Sequence, residues 1–175
     1  MKISKYTKMF FILTCFQIVW IFCIFGEYNN NSYLGFLVGI FYIFFYFLIK
    51  KRKYEAFKIC FIFSIFGYFF DSLLSYSNLF VVKSNIIIGY LPIWFIILWP
   101  SFCTLLVDIF VFLRNRPILA FLIGSIIVPP TYFSGIILNI AFSNSMFLVF
   151  IIMMIFWGTF MTMYSIYLKK VNPIL

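Results

Sequence analysis

Long apolar stretches alternate with short polar segments along the chain, and the polar segments hold most of its Lys, Arg and Asn residues. A membrane hydrocarbon core about 30 Å thick needs roughly 20 apolar residues for each helical crossing. The pattern therefore predicts an all-α integral membrane protein, a bundle of about six transmembrane helices. The predicted spans are residues 9–25, 33–49, 56–74, 92–113, 118–142 and 146–168, which form a single transmembrane domain over residues 1–175.

Hydropathy alone does not determine where the fourth span begins. The apolar stretch from Ile86 to Leu113 is too long for one upright helix, and Pro92 offers a natural start inside it. Pro117 suits the first turn of the fifth span, because a proline at that position loses no helical hydrogen bond.

Basic residues predict the orientation of the spans, because short cytoplasmic loops carry an excess of Lys and Arg. With six spans, twelve of the 13 basic residues fall on one side and only Lys83 on the other. The N-terminus and the C-terminus are therefore both predicted to be cytoplasmic. The twelve residues are Lys2, Lys5, Lys8, Lys50, Lys51, Arg52, Lys53, Lys58, Arg114, Arg116, Lys169 and Lys170.

The composition agrees with a membrane protein and argues against a nucleic-acid partner. Apolar residues make up 66% of the chain and charged residues 10%, with a mean hydropathy of +1.14, whereas a soluble domain is about half apolar and a quarter charged. The net charge of +9 comes from residues that flank apolar stretches, where they meet lipid headgroups. Membrane lipids are thus the expected partners, and nucleic acid is not.

Metal, cofactor and catalytic sites are not predicted. The chain has no His, and its four Cys residues lie in apolar stretches without a Cys-x-x-Cys spacing. The serines lack an evident base, so a catalytic constellation is not recognised, and independent enzymatic activity is not expected.

Two acids inside the predicted spans are candidates for function. A charged Asp near the middle of a membrane helix costs about 2.5–3.5 kcal/mol on insertion scales, so it needs a reason to be there. Asp71 lies in the outer third of span three, either as a functional carboxylate or as a protonated group bonded to a Tyr or Ser. Asp108 lies near the cytoplasmic end of span four, where it can extend toward Arg114 or Arg116. Gln17 and Thr104 are further candidate polar residues inside the spans.

A pocket in the outer half of the membrane is predicted around Asp71. Adjacent prolines break the fifth span, and broken helices border many transporter sites, although they are also common kinks. Trp94 is expected to be an interfacial anchor, and Trp99, which lies deeper, is expected to pack on another helix. The candidate pocket residues are Asp71, Tyr132, Trp94, Trp99 and Pro129.

Small residues recur at helical spacing on several spans. Gly35-x-x-x-Gly39 on span two is one such pair, and it is typical either of packing inside the chain or of contact with a partner.

Several motifs together resemble those of a bacterial membrane protein family, domain of unknown function 2878. They include Phe16-Gln17-x-x-Trp20, Gly67-x-x-x-Asp71, Pro92-Ile93-Trp94 with Leu98-Trp99, and a fifth-span motif from Gly124 to Gly135. The family carries an Asn-His pair where this chain has Val107 and Asp108, which puts any role for an imidazole in doubt. The resemblance implies a bacterial inner membrane and supplies no activity; gene neighbourhoods of the family point weakly to fatty-acid modification.

Three functions remain in competition. The first is a small-molecule or lipid binding or transport subunit; six helices are few for a transporter, so a homodimer or a membrane protein partner is expected. The second is an accessory protein in fatty-acid or lipid modification. The third is a membrane assembly or scaffold factor, with Gly35 and Gly39 facing the partner.

Overall fold

The structure, a computed structural model, describes residues 5–170. Lys2, counted above among the basic residues, lies outside them. Within this range the chain forms helices α1 (Lys5–Tyr28), α2 (Ser32–Ile49), α3 (Lys53–Tyr76), α4 (Phe95–Asp108), α5 (Pro117–Ile127), α6 (Pro129–Ile137) and α7 (Met146–Lys170), and a short 3-10 helix (Phe110–Leu113). Two-residue strands occur at β1 (Val81–Val82), β2 (Ile87–Ile88), β3 (Leu91–Pro92) and β4 (Ala141–Phe142).

Five helical segments of the described chain are long and apolar enough to cross a membrane, and Phe95–Asp108 is a shorter apolar helix. The five are Tyr6–Tyr28, Ser32–Ile49, Lys53–Tyr76, Pro117–Ile137 and Met146–Lys170. The prediction of an all-α membrane protein is therefore confirmed at this level.

The fourth and fifth predicted spans differ in detail from the observed helices. Pro92 does not start a helix but lies in β3, paired with β2 across a tight turn in which Gly89 has a φ of 65°. The helix begins three residues later, at Phe95. Pro117 does begin α5. The next helix starts at Pro129, because a proline inside a helix lacks the amide donor and clashes with the preceding turn.

Asparagine marks the ends of several helices. Asn30, Asn78, Asn115 and Asn139 have φ values between 55° and 62° and lie two residues after the ends of α1, α3, the 3-10 helix and α6. Asn is one of the few non-glycine residues that adopt this left-handed conformation readily, and a helix ends where it does so.

The described residues form two compact units. The first consists of residues 5–72 and 84–110, and therefore of α1, α2, most of α3, the β2–β3 hairpin and α4. In it, α1 contacts α2 and α4, and α2 contacts α4. Gly35 packs against the backbone of Cys23 on α1, and Gly39 packs against Ile97 on α4. This Gly-x-x-x-Gly pair thus serves packing within the chain, which removes the reason for assigning it to a partner.

The second unit consists of residues 73–83 and 111–170. Its main contact joins α5 and α7, where Gly124 lies against the backbone of Trp157 and Gly158 lies against the ring of Phe121. The short strands β1 and β4 pair antiparallel in the same unit. Ser165 on α7 donates to the Leu113 carbonyl at 2.6 Å.

Candidate functional site

Three carboxylates are buried in the first unit, and each belongs to α4 or is hydrogen-bonded to α4 or to Trp94, the residue just before it. Glu27 is 5% exposed, and Asp71 and Asp108 are 3% exposed each. Because buried carboxylates are costly unless they are paired or hydrogen-bonded, the partners of each acid decide what it can do.

Asp108, the last residue of α4, is bound by two lysines and a tyrosine. Its Oδ1 lies 2.8 Å from Lys8 Nζ, and its Oδ2 lies 2.8 Å from Lys50 Nζ and accepts a 2.6 Å hydrogen bond from Tyr46 Oη. The sequence pointed to Arg114 or Arg116 as the partner of Asp108. The two lysines that bind it lie instead at the start of α1 and just after α2. Two ammonium groups thus balance the charge of this carboxylate.

Lys50 lies between α2 and α3, and its side chain is only 7% exposed, whereas that of Lys8 is 49% exposed. Burial lowers the pKa of the Lys50 ammonium from its ordinary value of 10.5, and the hydrogen bond to Asp108 opposes that shift.

Polar contacts continue along α4, one turn before Asp108. Thr104 donates to the Ser101 carbonyl at 2.8 Å, so the 2.6 Å contact with Tyr42 Oη uses the proton of the tyrosine. Ser64 on α3 donates to Cys103 Sγ at 3.4 Å. The predicted polar residue Thr104 therefore joins α2 to α4.

Asp71 on α3 accepts a hydrogen bond from Trp99 Nε1 at 2.8 Å. The alternative of a protonated Asp71 bonded to a Tyr or Ser stays a prediction, and the indole is a donor that the sequence interpretation did not name. Gly67, one turn before Asp71, makes the contact possible, because a side chain there would overlap the Trp99 ring. The prediction that Trp99 packs on another helix is confirmed.

Glu27, at the end of α1, is the acid that the sequence interpretation missed, because it lies in the polar segment between the predicted spans 9–25 and 33–49. Its carboxylate accepts hydrogen bonds from Trp94 Nε1 at 2.6 Å, from Ser84 Oγ at 3.0 Å and from Ser32 Oγ at 3.1 Å. Trp94 is 2% exposed, so it is buried on this carboxylate and the expected role as a lipid-facing anchor is wrong.

The donors to Glu27 from the described residues are all neutral: an indole and two hydroxyls. Ser84 Oγ also lies 3.0 Å from Ser32 Oγ and accepts a hydrogen bond from the Ile86 backbone N–H at 3.2 Å, which fixes its position. Glu27 therefore has well-placed hydrogen-bond donors but no cation among them, in contrast to Asp108.

The Glu27 and Asp108 clusters lie at opposite ends of α1. Lys8 and Glu27 are nineteen residues apart on one helix, about 28 Å at 1.5 Å per residue, close to the roughly 30 Å of a hydrocarbon core. Asp71 is bonded to Trp99 on α4. Trp99 is five residues after Trp94, which directly precedes α4, so the two indoles are about 8 Å apart along the helix axis. Glu27 and Asp71 are therefore the acids on the Trp94 side of α4.

The remaining candidate residues lie elsewhere. Tyr132 and Pro129 belong to the second unit, where the Tyr132 ring lies 5.4 Å from that of Phe80 and 6.5 Å from that of Trp157, and Pro129 is buried at the start of α6. A pocket shared by these residues and Asp71 stays a prediction. Gln17 lies exposed in the middle of α1. In the described range, no three His, Cys, Asp or Glu side chains group closely enough to hold a metal ion.

Comparison with known proteins gives a family match. The family described as "Protein of unknown function (DUF2878)" matches residues 9–163, and the resemblance predicted from the motifs is confirmed. Searches of curated proteins and of solved structures give no match.

Proposed function

This chain belongs to the DUF2878 family, and on that premise we propose that it is a binding or transport subunit for a small, positively charged amphiphile. The ligand enters the outer half of a bacterial inner membrane and is held near Glu27 and Asp71. The protein crosses that membrane six times, with both ends in the cytoplasm.

The crossing beyond the five long helical segments is assigned to α4. Its fourteen residues extend about 21 Å, somewhat less than the roughly 30 Å of a hydrocarbon core.

The proposed orientation is supported by the first unit. Lys8 and Lys50 both contact Asp108, so the start of α1, the end of α2 and the end of α4 lie at one end of this unit. Glu27, Ser32 and Trp94 mark the other end. The basic residues predict that the Asp108 end faces the cytoplasm, so Glu27 belongs to the outer end.

The observation that carries the proposal is the contrast between the acids of the two ends. Asp108 has two lysine partners, as expected of an acid that holds helices together. Glu27 is just as buried but has only neutral donors among the described residues, so its charge is open to a cation. A buried acid without a cationic partner at the membrane boundary is a functional candidate, and we propose that an amphiphile approaches it from the lipid phase.

The test titrates the purified full chain, in a neutral detergent, with decylammonium and follows tryptophan fluorescence. Trp94 and Trp99 donate directly to the two acids, so their emission responds to a charge bound there. We expect saturable binding by the wild type and a loss of about tenfold in affinity for Glu27→Gln, because the ion pair in a low-dielectric site is gone.

Glu55→Gln is the matched control, since Glu55 is in the first turn of α3, far along that helix from Asp71. It should bind decylammonium like the wild type, and decyl sulfate should bind to none of the three proteins. Absence of saturable binding by the wild type, or equal affinity in Glu27→Gln, rejects the proposal.

A further inference from the structure

Gln17 occupies a position in α1 that neither packing nor the proposed binding site explains. It is the single Gln of the chain, nine residues after Lys8 and ten before Glu27. At 1.5 Å per residue it lies about 14 Å from either, at the middle of a helix apolar enough to cross the membrane. Its side chain is exposed, and no described residue supplies it with a hydrogen-bond partner.

The exposed side of α1 at this point has the spacing of a helix–helix contact. The packed side holds Ile12, Val19 and Cys23. The other side exposes a broad face, and within it the residues in line with Gln17 recur at intervals of four, three and four, a spacing compatible with a coiled-coil seam. The four residues of this α1 seam are Phe10, Thr14, Gln17 and Ile21.

Gln17 differs from the other polar residue of the seam in how its side chain is satisfied. Thr14 donates to the Phe10 carbonyl of its own helix at 2.9 Å, so its hydroxyl needs no outside partner. The amide of Gln17 has two donor hydrogens and an acceptor oxygen. In hydrocarbon those groups are costly unless another helix supplies partners.

We propose that the α1 seam binds a second copy of this chain, with the two Gln17 amides hydrogen-bonded to each other across a two-fold axis. Copies inserted in the same orientation place Gln17 at one depth, so a second copy brings a polar partner to that level. An amide both donates and accepts, so two identical side chains form a reciprocal pair, as an isologous interface requires. Interhelical bonds of this type stabilise membrane helix pairs.

The interface does not depend on the proposed function, since the α1 seam is on the side of the helix opposite to its contacts with α2 and α4. A homodimer could form whether or not Glu27 binds a cation, and the two ideas fail separately.

The test measures energy transfer between copies of the full chain that carry donor or acceptor fluorophores at the C-terminus, in phosphatidylethanolamine–phosphatidylglycerol vesicles. Dilution with lipid gives the protein-to-lipid ratio at half-maximal transfer. We expect Gln17→Leu to raise that ratio roughly five- to tenfold, as the loss of two interhelical hydrogen bonds predicts. Gln17→Asn should lie between Gln17→Leu and the wild type.

Thr159→Val is the control, because Thr159 is an exposed polar residue in the middle of α7. It should associate like the wild type. Gln17→Leu replaces an amide by an apolar group on a lipid-exposed helix, so it should not impair insertion.

A second measurement uses oxidative cross-linking in the same vesicles. Ile21→Cys, one turn from Gln17 on the seam, should form a covalent dimer, and Ile155→Cys, which is equally exposed on α7, should not. Energy transfer that is absent in the wild type, or unchanged in Gln17→Leu, overturns the proposal, as does equal cross-linking at both positions.

Discussion

At the scale of single residues, Gly67 and Trp99 act together where α3 meets α4. The missing side chain at Gly67 leaves room for the indole ring, and the ring directs its N–H to Asp71 one turn further along α3. The spacing Gly67-x-x-x-Asp71 therefore matches one helical turn on one face. This contact explains the motif as a packing element.

The free energy of unfolding of two variants distinguishes the packing role of Asp71 from a role for its charge. Trp99→Phe removes the donor from a buried acid and should lower the free energy of unfolding by about 2 kcal/mol. Asp71→Asn keeps an oxygen that accepts from the indole, so it should change stability by less than half as much. The rate at which the buried thiols of Cys23, Cys60 and Cys103 react with a fluorescent maleimide on heating reports unfolding for both variants. A larger loss in Asp71→Asn would contradict this account.

The sequence could identify some of these residues but not their partners. Asp71, Asp108 and Trp99 are visible because a polar or bulky aromatic residue inside an apolar span needs an explanation. Glu27 lies beside a run of asparagines, where a carboxylate normally meets water. Its donors Ser84 and Trp94 are 57 and 67 residues away, a separation that no local pattern spans.

At the scale of helices and loops, the ends of the fourth and fifth spans were the part of the fold that hydropathy could not determine. Apolar residues such as Ile87, Ile88 and Leu91 continue through the β2–β3 hairpin into the helix that follows, so hydropathy does not separate the two. Pro92 is compatible with a helix start and with a strand end, and pairing with Ile87 makes it the latter. The helix ends near the left-handed Asn30, Asn78, Asn115 and Asn139, by contrast, coincide with polar residues that hydropathy does register.

The close approach of α5 and α7 gives a prediction at this scale. A methyl group at Gly124 would overlap the Trp157 carbonyl, which is backbone and cannot rotate away, so Gly124→Ala should force the helices apart. We expect a loss of about 2 kcal/mol, measured by thermal unfolding with circular dichroism.

Gly135→Ala serves as the matched control. Its new methyl would meet the Ala141 side chain at 3.4 Å, an ordinary contact, and alanine favours the helix. A neutral or slightly stabilising effect is expected there. Equal losses at both glycines would show that the close approach is not what matters at Gly124.

At the scale of the whole molecule, the distribution of Lys and Arg predicts which ends face the cytoplasm. Fluorescent protein fused after Asn115 or at the C-terminus should mature and emit, because those positions are predicted to be cytoplasmic. Alkaline phosphatase fused after Asn78 or Asn144 should be active, because those loops are predicted to be outside. Exchanging the two reporters should silence all four fusions, and an active phosphatase at the C-terminus would mean an odd number of crossings.

The two ends of α1 also limit the membranes that suit this protein. Lys8 and Glu27 are tied to α4 at fixed positions, about 28 Å apart along a single rigid helix. Neither contact can slide to follow the lipid, so the acyl chains around the first unit must adjust their length instead. Long-chain bilayers would have to compress around this protein, at a cost that grows with each ångström of mismatch. On the proposed six-crossing arrangement, we therefore expect this chain to fit best in bilayers whose hydrocarbon core is close to 30 Å thick.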